Sequence, residues 1–184
     1  LEYTEDEEKI LKSFKLLTKK PIIYIANVEE NDIVFGNSYV NAVKEYAEKE
    51  NAEVVMLCAK VESELSELED EDKALFLEDL GVNEGGLDKL IKATYSLLGL
   101  ATYFTAGSDE VKAWTFKKGM KAPECAGLIH SDFEKGFIKA EVISYEDYKK
   151  YDGEKGAKEN GRMRLEGKDY LMQDGDICLF RFNV

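Results

Sequence analysis

Histidine, tryptophan and proline are nearly missing from the 184 residues, with one His, one Trp and two Pro. The three cysteines, Cys58, Cys125 and Cys178, are widely spaced in apolar surroundings, and no C-x-x-C occurs. Isolated thiols in odd number and a lone histidine supply neither a disulfide framework nor the ligands of a zinc site. There is no run of about 18 apolar residues, so no helix is expected to span a bilayer. No basic segment followed by an apolar stretch opens the chain, so no signal peptide is expected. These absences predict a cytoplasmic chain with no membrane partner. Apolar residues at 44% and charged residues at 34% exclude a disordered one.

Positive charge is scarce as well, and unevenly so. Residues 1–99 carry 23 acidic and 11 basic side chains, and residues 100–184 carry 15 and 14, giving net charges of −12 and −1. A uniformly basic nucleic-acid binder is excluded, because neutralising phosphates needs a local excess of Lys and Arg. The second part can still present a basic face. Such different charge densities predict two domains with different tasks.

The periodicity supplies the elements. Residues Thr4 to Thr18 read as a helix, with Thr4 and Glu7 placed as a capping box and Ile10, Leu11, Phe14 and Leu17 at helical spacing. PIIYIAN (Pro21 to Asn27) and EVVMLCA (Glu53 to Ala59) are continuous apolar runs, the pattern of strands covered on both faces. A helix from about Ser38 to Asn51 lies between them, which makes a βαβ crossover with parallel pairing. The acidic segment from Val61 to Leu80 is predicted to be helical, with the run Glu62 to Asp72 as a solvated face. A further helix, GLDKLIKATYSLLG, is stopped by Gly99.

Beyond Gly99 the texture changes. ATYFTAG and VKAWTF alternate around a Ser108-Asp109 turn and predict a hairpin. A short helix from Pro123 to Ile129, the strand FIKAEVI, an irregular glycine- and lysine-rich stretch and the closing strand ICLFRFNV follow. This order resembles a β-grasp, ubiquitin-like module of about 80 residues. Two parallel strands cannot cover their own apolar faces. The first part is therefore expected to be the C-terminal piece of a longer domain, or else to be completed by partner chains, including self-association through unpaired strands.

The first strand runs into Asn27-Val28-Glu29-Glu30, an N-x-x-E segment. P-loop GTPases carry N-K-x-D at that place, where Asn and Asp select guanine. With Val28 for Lys and Glu30 for Asp, the segment is similar to that of the YchF-type, Obg-like ATPases, which prefer ATP. LLTKKPIIYIANV, CAKVESELSEL, IHSDFEKGFIKAE and DGDICLFRFNV resemble that family along essentially the whole chain. The resemblance implies an α/β fold: residues 1–20 as the end of a helical insertion, 21–99 as the C-terminal part of a Rossmann-like P-loop domain, and 100–184 as a TGS domain. It also implies ATP with Mg²⁺ as cofactor and the ribosome or ribosomal RNA as partner.

No G-x-x-x-x-G-K-[ST] segment is present, however. Gly161 to Lys168 is one residue too long and is followed by Asp169, whose carboxylate would repel phosphate. The chain alone is therefore not expected to hydrolyse nucleotide, and no catalytic or metal-binding residue is assigned within it. The resemblance places base contacts at Asn27, Val28 and Glu30, with Cys58 and Ala59 contributing from the second loop. Without it, Asn27 is an ordinary strand-ending residue, Glu30 a solvated charge and Cys58 an inert core thiol. Lys60 is equally a base neighbour or a solvated lysine. Lys112, Lys117, Lys118, Lys149, Lys150, Lys155, Arg162 and Arg164, interleaved with Tyr148 and Tyr151, are the candidates for RNA or ribosome contact. Against that stands an ordinary solvated surface, and the other class of function is a non-enzymatic TGS adaptor. His130 has no nucleophile partner nearby in sequence and is expected to be structural.

Overall fold

A computed structural model of the chain describes residues 3–107 and 110–183, in two units that divide between Thr94 and Tyr95. The first unit opens with α1 (Glu5–Ser13). Its capping box is formed: the Thr4 hydroxyl accepts the Glu7 N–H at 3.4 Å, and Glu7 accepts the Thr4 N–H at 2.9 Å. The Thr4 N–H, and after it the Thr4 hydroxyl donating to the same carboxylate oxygen at 2.9 Å, hold the Glu7 carboxyl below its usual pKa. The helix ends earlier than its apolar spacing predicts. Lys15 has a φ of +51°, a left-handed conformation no α-helix continues through, and a single 3-10 turn spans Leu17–Lys19.

The parallel pair is present. Strands β1 (Ile23–Asn27) and β2 (Glu53–Leu57) run side by side with Asn27 opposite Leu57. They are joined through α2 (Ser38–Lys49), whose first-turn amides of Tyr39 and Val40 are both taken by Asn37 Oδ1 at 3.1 Å. Helix α2 turns Val40 and Ala47 inward. As expected of only two parallel strands, their apolar faces are not fully covered. Ile25 keeps 52% of its surface exposed and Ile22 47%, because among the described residues only these two strands make up the sheet.

The single helix expected from Val61 to Leu80 is corrected. It is divided into α3 (Ala59–Ser66) and α4 (Asp70–Asp79), with Glu69 extended between them. The break lets Leu68, Phe76, Leu77 and Leu80 close on the buried side chains of Cys58, Val61 and Leu65. It also sets Asp70, Glu71 and Asp72 in the first turn of α4, where the helix dipole favours negative charge. Helix α5 (Gly86–Leu97) completes the unit and runs into the next one.

The second unit holds a five-stranded mixed sheet. Its strands are β3 (Leu100–Ala106), β4 (Val111–Lys117), β5 (Phe137–Ser144), β6 (Arg164–Glu166) and β7 (Asp176–Phe182), in the spatial order β4-β3-β7-β5-β6. Strands β3 and β7 are parallel, and the other neighbours are antiparallel. The Ser108-Asp109 turn expected between β3 and β4 lies outside the described residues. Helices α6 (Ala122–Ile129) and α7 (Ser131–Lys135) follow β4. The stretch expected to be irregular after β5 instead contains α8 (Tyr145–Lys150), α9 (Glu154–Glu159) and β6. The core gathers Tyr103, Phe116, Cys125, Ala126, Phe137, Val142, Cys178 and Phe180, and the Tyr103 hydroxyl donates to the Cys125 carbonyl at 2.9 Å.

Burial pushes the Cys125 thiol up to about 12. An unfolded thiol ionises near about 8.5, so its proton is held in the native state and shed in the unfolded one above that pH. The stability this contributes is complete below about pH 8.5 and is lost as pH rises toward 12. Thermal melts should therefore show this unit weakening steadily between about pH 9 and about pH 11, and Cys125→Ala should shallow the slope.

Candidate functional site

The C-terminal ends of β1 and β2 lie side by side, and two hydrogen bonds tie the loops that leave them. Val28 N–H donates to the Leu57 carbonyl at 2.9 Å, and Ala59 N–H donates to Asn27 Oδ1 at 3.0 Å. Asn27 is exposed, and its Nδ2 has no hydrogen-bond partner among the described residues, so the amide offers a donor outward. Glu30 is exposed and opens a 3-10 turn, Glu30–Asp32. Val28 is half-buried beside it. Asp32 accepts from Asn37 Nδ2 at 2.7 Å, which closes the loop back onto the start of α2.

Cys58 is buried at 4% exposure and packs with Val61 and Leu65, so its side chain faces the core while its backbone starts α3. Lys60 lies exposed beside Glu64. The geometry thus brings Asn27, Val28 and Ala59 together. Glu30 follows on the same loop, and Cys58 joins through its main chain alone. Glu62, read from sequence as one more solvated charge, is instead half-buried. Its Oε1 accepts the Gly86 N–H at 2.6 Å at the start of α5.

In the second unit the basic residues divide into committed and free. Lys112 lies 4.2 Å from the centroid of the Trp114 ring, and Trp114 donates to Thr105 Oγ1 at 3.0 Å. Lys150 and Arg162 both approach the Tyr151 ring, at 5.3 and 6.0 Å, and Arg162 pairs with Asp147 at 3.9 Å. Lys117, Lys118, Lys149 and Lys155 are exposed and have no ion-pair partner among the described residues. His130 caps α7, its Nδ1 accepting the Asp132 N–H at 3.2 Å. Among the described residues no group of three His, Cys, Asp or Glu is placed to hold a metal ion, and no helix is long and apolar enough to cross a membrane.

A family model described as YchF-GTPase_C, protein of unknown function (DUF933), matches residues 100–183. The "Ribosome-binding ATPase YchF" of Bacillus subtilis is 62% identical over 186 residues, covering all of this chain and 51% of that protein. The chain belongs to the YchF family. The "Obg-like ATPase 1" of Rattus norvegicus is 41% identical, across 100% of this chain and 47% of its own length. The Schizosaccharomyces pombe YchF GTPase has a solved structure that superposes with a TM-score of 0.82 at 34% identity, covering 98% of this chain and 48% of that one. The chain spans about half the length of the curated relatives it matches.

One polar centre of this YchF-family chain escaped sequence reasoning. Asp176, 2% exposed, accepts the Tyr170 hydroxyl at 2.8 Å, the Gln173 N–H at 2.9 Å and Arg164 Nη2 at 3.2 Å. Arg164 also donates to Tyr170 at 3.0 Å and pairs with Glu166 at 3.6 Å. Its guanidinium is thereby bound into the fold. Burial, with the carboxylate of Asp176 next in weight, raises the Tyr170 phenol. The only sequence signal was an Asp just after the Asp174-Gly175 turn, which is indistinguishable from ordinary turn chemistry.

Proposed function

We propose that this chain is the C-terminal part of a ribosome-associated, cytoplasmic P-loop ATPase. In this account it supplies the base-reading half of the nucleotide site together with a β-grasp TGS module. The observation that carries the nucleotide half is the bond from Ala59 N–H to Asn27 Oδ1, which joins the two loops at the strand ends. With Oδ1 engaged there, Asn27 presents Nδ2, a donor suited to N7, an acceptor that adenine and guanine share. Asn27 would then read a purine, and discrimination falls to its neighbours. Glu30 and Val28 stand where guanine-selective proteins carry Asp and Lys, so the acceptor pair for guanine N1–H and N2–H₂ is not built and ATP is preferred. Val28 would pack on the base, and the Cys58-Ala59 backbone would line the other side.

Phosphate and Mg²⁺ do not fit the residues present. The sequence holds no P-loop to cradle phosphates, and phosphoryl transfer depends on that grip and on metal charge neutralisation. The 184 residues alone are therefore not expected to turn ATP over. The half-exposed Ile22 and Ile25 are read as the seat of the remainder of the nucleotide domain. A second copy of the chain on that face would instead appear as a dimer in sedimentation.

Ribosome contact is assigned to the second unit, since the strongly acidic first part repels RNA. Lys117, Lys118, Lys149, Lys150 and Lys155 are its candidate contacts, with Arg162 beside Tyr151 as a stacking neighbour. Arg164 is withdrawn to a structural role. Reversing the charge at Lys149, Lys150 and Lys155 should weaken cosedimentation with ribosomes about tenfold and flatten its salt dependence. Unchanged cosedimentation would remove that patch. Ribosome binding that persists when Asn27 is replaced by Ala, with no nucleotide response at all, would favour a nucleotide-independent TGS adaptor.

A further inference from the structure

Glu62 lies outside the set of residues that face a purine, yet it fastens the loop that would. Helix α5 approaches β2 so closely at Gly86 that a Cβ there would lie 2.3 Å from Leu57 Cβ and 3.0 Å from its Cα. Gly86 is buried, and its N–H belongs to the first turn of α5, where no carbonyl within the helix can accept it. Glu62 Oε1 accepts that N–H at 2.6 Å, and Glu62 Oε2 would be 3.3 Å from a Cβ at Gly85. The carboxylate therefore packs directly against the turn it holds.

Glu62 belongs to the first turn of α3, and its own N–H donates to the Cys58 carbonyl at 3.0 Å. The three residues Leu57, Cys58 and Ala59 are consequently held from three directions. Leu57 is bound to Val28 and pressed by Gly86, Cys58 to Glu62, and Ala59 to Asn27.

We infer that Glu62 is a positioning residue for purine recognition. By holding the Gly86 amide, it keeps α5 seated on Leu57 and so fixes the Cys58-Ala59 backbone against Asn27. The inference rests on the base-reading role proposed for Asn27. A carboxylate is suited to this task because the buried amide needs a strong acceptor, and one placed a single turn along α3 reaches Gly86 without adding bulk beside the loop.

The test combines amide exchange and ATP titration by NMR on this chain carrying Glu62→Ala, Glu62→Gln or Glu62→Asp. Glu62→Ala should speed exchange at Gly86 and also at Ala59, each by about tenfold, and weaken the ATP-induced shifts of Val28 and Ala59. Glu62→Gln, which keeps an Oε1 acceptor at the same reach, should restore both. If Glu62→Ala fails to fold, Glu62→Asp provides the comparison, since its shorter side chain should free Gly86 and Ala59 together. Freed Gly86 with Ala59 and the ATP response unchanged would overturn the inference. Asn27→Ala is the control on the underlying role. ATP shifts that survive Asn27→Ala would overturn the base-reading role and the inference with it. Loss with Asn27→Ala but not with Glu62→Ala would overturn the inference alone.

Discussion

Asp176→Ala is expected to destabilise the 95–184 unit by about 3 kcal/mol, the range found when one partner of a buried polar or ionic network is removed. Three donors converge on this carboxylate, one of them a guanidinium, and it is 2% exposed. Without it, the Gln173 N–H and the Tyr170 hydroxyl lose their acceptor. Arg164 keeps only Glu166 at 3.6 Å and the phenol of Tyr170. The guanidinium is about half exposed, so water offsets part of its loss, and the cost stays nearer 3 than 5 kcal/mol. For a unit of this size the melting midpoint should fall by about 15 °C. Asp176→Asn keeps an acceptor for one donor but gives up the charge, and should cost roughly half as much. A loss below about 1 kcal/mol in urea titration would mean that the network is not what holds β6 and β7 together.

The double substitution Val28→Lys with Glu30→Asp, made in the full-length protein, should raise the affinity for GTP relative to ATP by about tenfold to a hundredfold. The gain comes from a carboxylate placed to accept guanine N1–H and N2–H₂. Hydrogen bonds to a charged acceptor contribute roughly 1.5–3 kcal/mol each when desolvated, and about 1.4 kcal/mol corresponds to tenfold. Glu30 is free to be replaced, since its side chain has no hydrogen-bond partner among the described residues and is exposed. Adenine presents an amino donor and an N1 acceptor where guanine presents O6 and N1–H, so the shorter carboxylate should gain nothing with ATP. An unchanged ratio would discard the roles of Val28 and Glu30 in base selection.

What could be read from the chain itself followed from how local the determining signal was. The apolar runs at Ile23–Asn27 and Glu53–Leu57 and the helix between them are legible because burial and periodicity alone define them. The capping box at Thr4 and Glu7 is legible because it lies within four consecutive residues. Helices α8 and α9 were not legible. Each is six residues long, less than two turns, and their tight junction is set by Gly153 at a φ of +103°. The break between α3 and α4 carries no glycine or proline, and the packing of Phe76, Leu77 and Leu80 against the Cys58, Val61 and Leu65 cluster that accompanies it is a tertiary fact.

The site shows the same division. Asn27 and Glu30 could be singled out through the N-x-x-E resemblance. Sequence could not reveal that Asn27 Oδ1 is engaged by Ala59, 32 residues away. Glu62 was hidden by its neighbours. In the run from Glu62 to Asp72, Glu64, Glu67, Glu69, Asp70 and Glu71 are exposed as a solvated face requires, and nothing in the run marks Glu62 as different. Arg164 was hidden in the opposite sense, as one cation among many whose partner, Asp176, is fixed only when β6 and β7 flank β5.

The central claim, that these residues form the purine-reading half of an ATP site, is tested most directly by titrating ATP and GTP separately into the ¹⁵N-labelled chain at millimolar concentration. The account predicts that ATP shifts the Val28 and Ala59 amides and the Asn27 side-chain amide, with GTP weaker at the same residues and with the Lys149–Lys155 region unmoved. Equal responses to both nucleotides would contradict the ATP preference. Shifts confined to the lysines of the second unit, with Asn27 silent, would contradict the site itself.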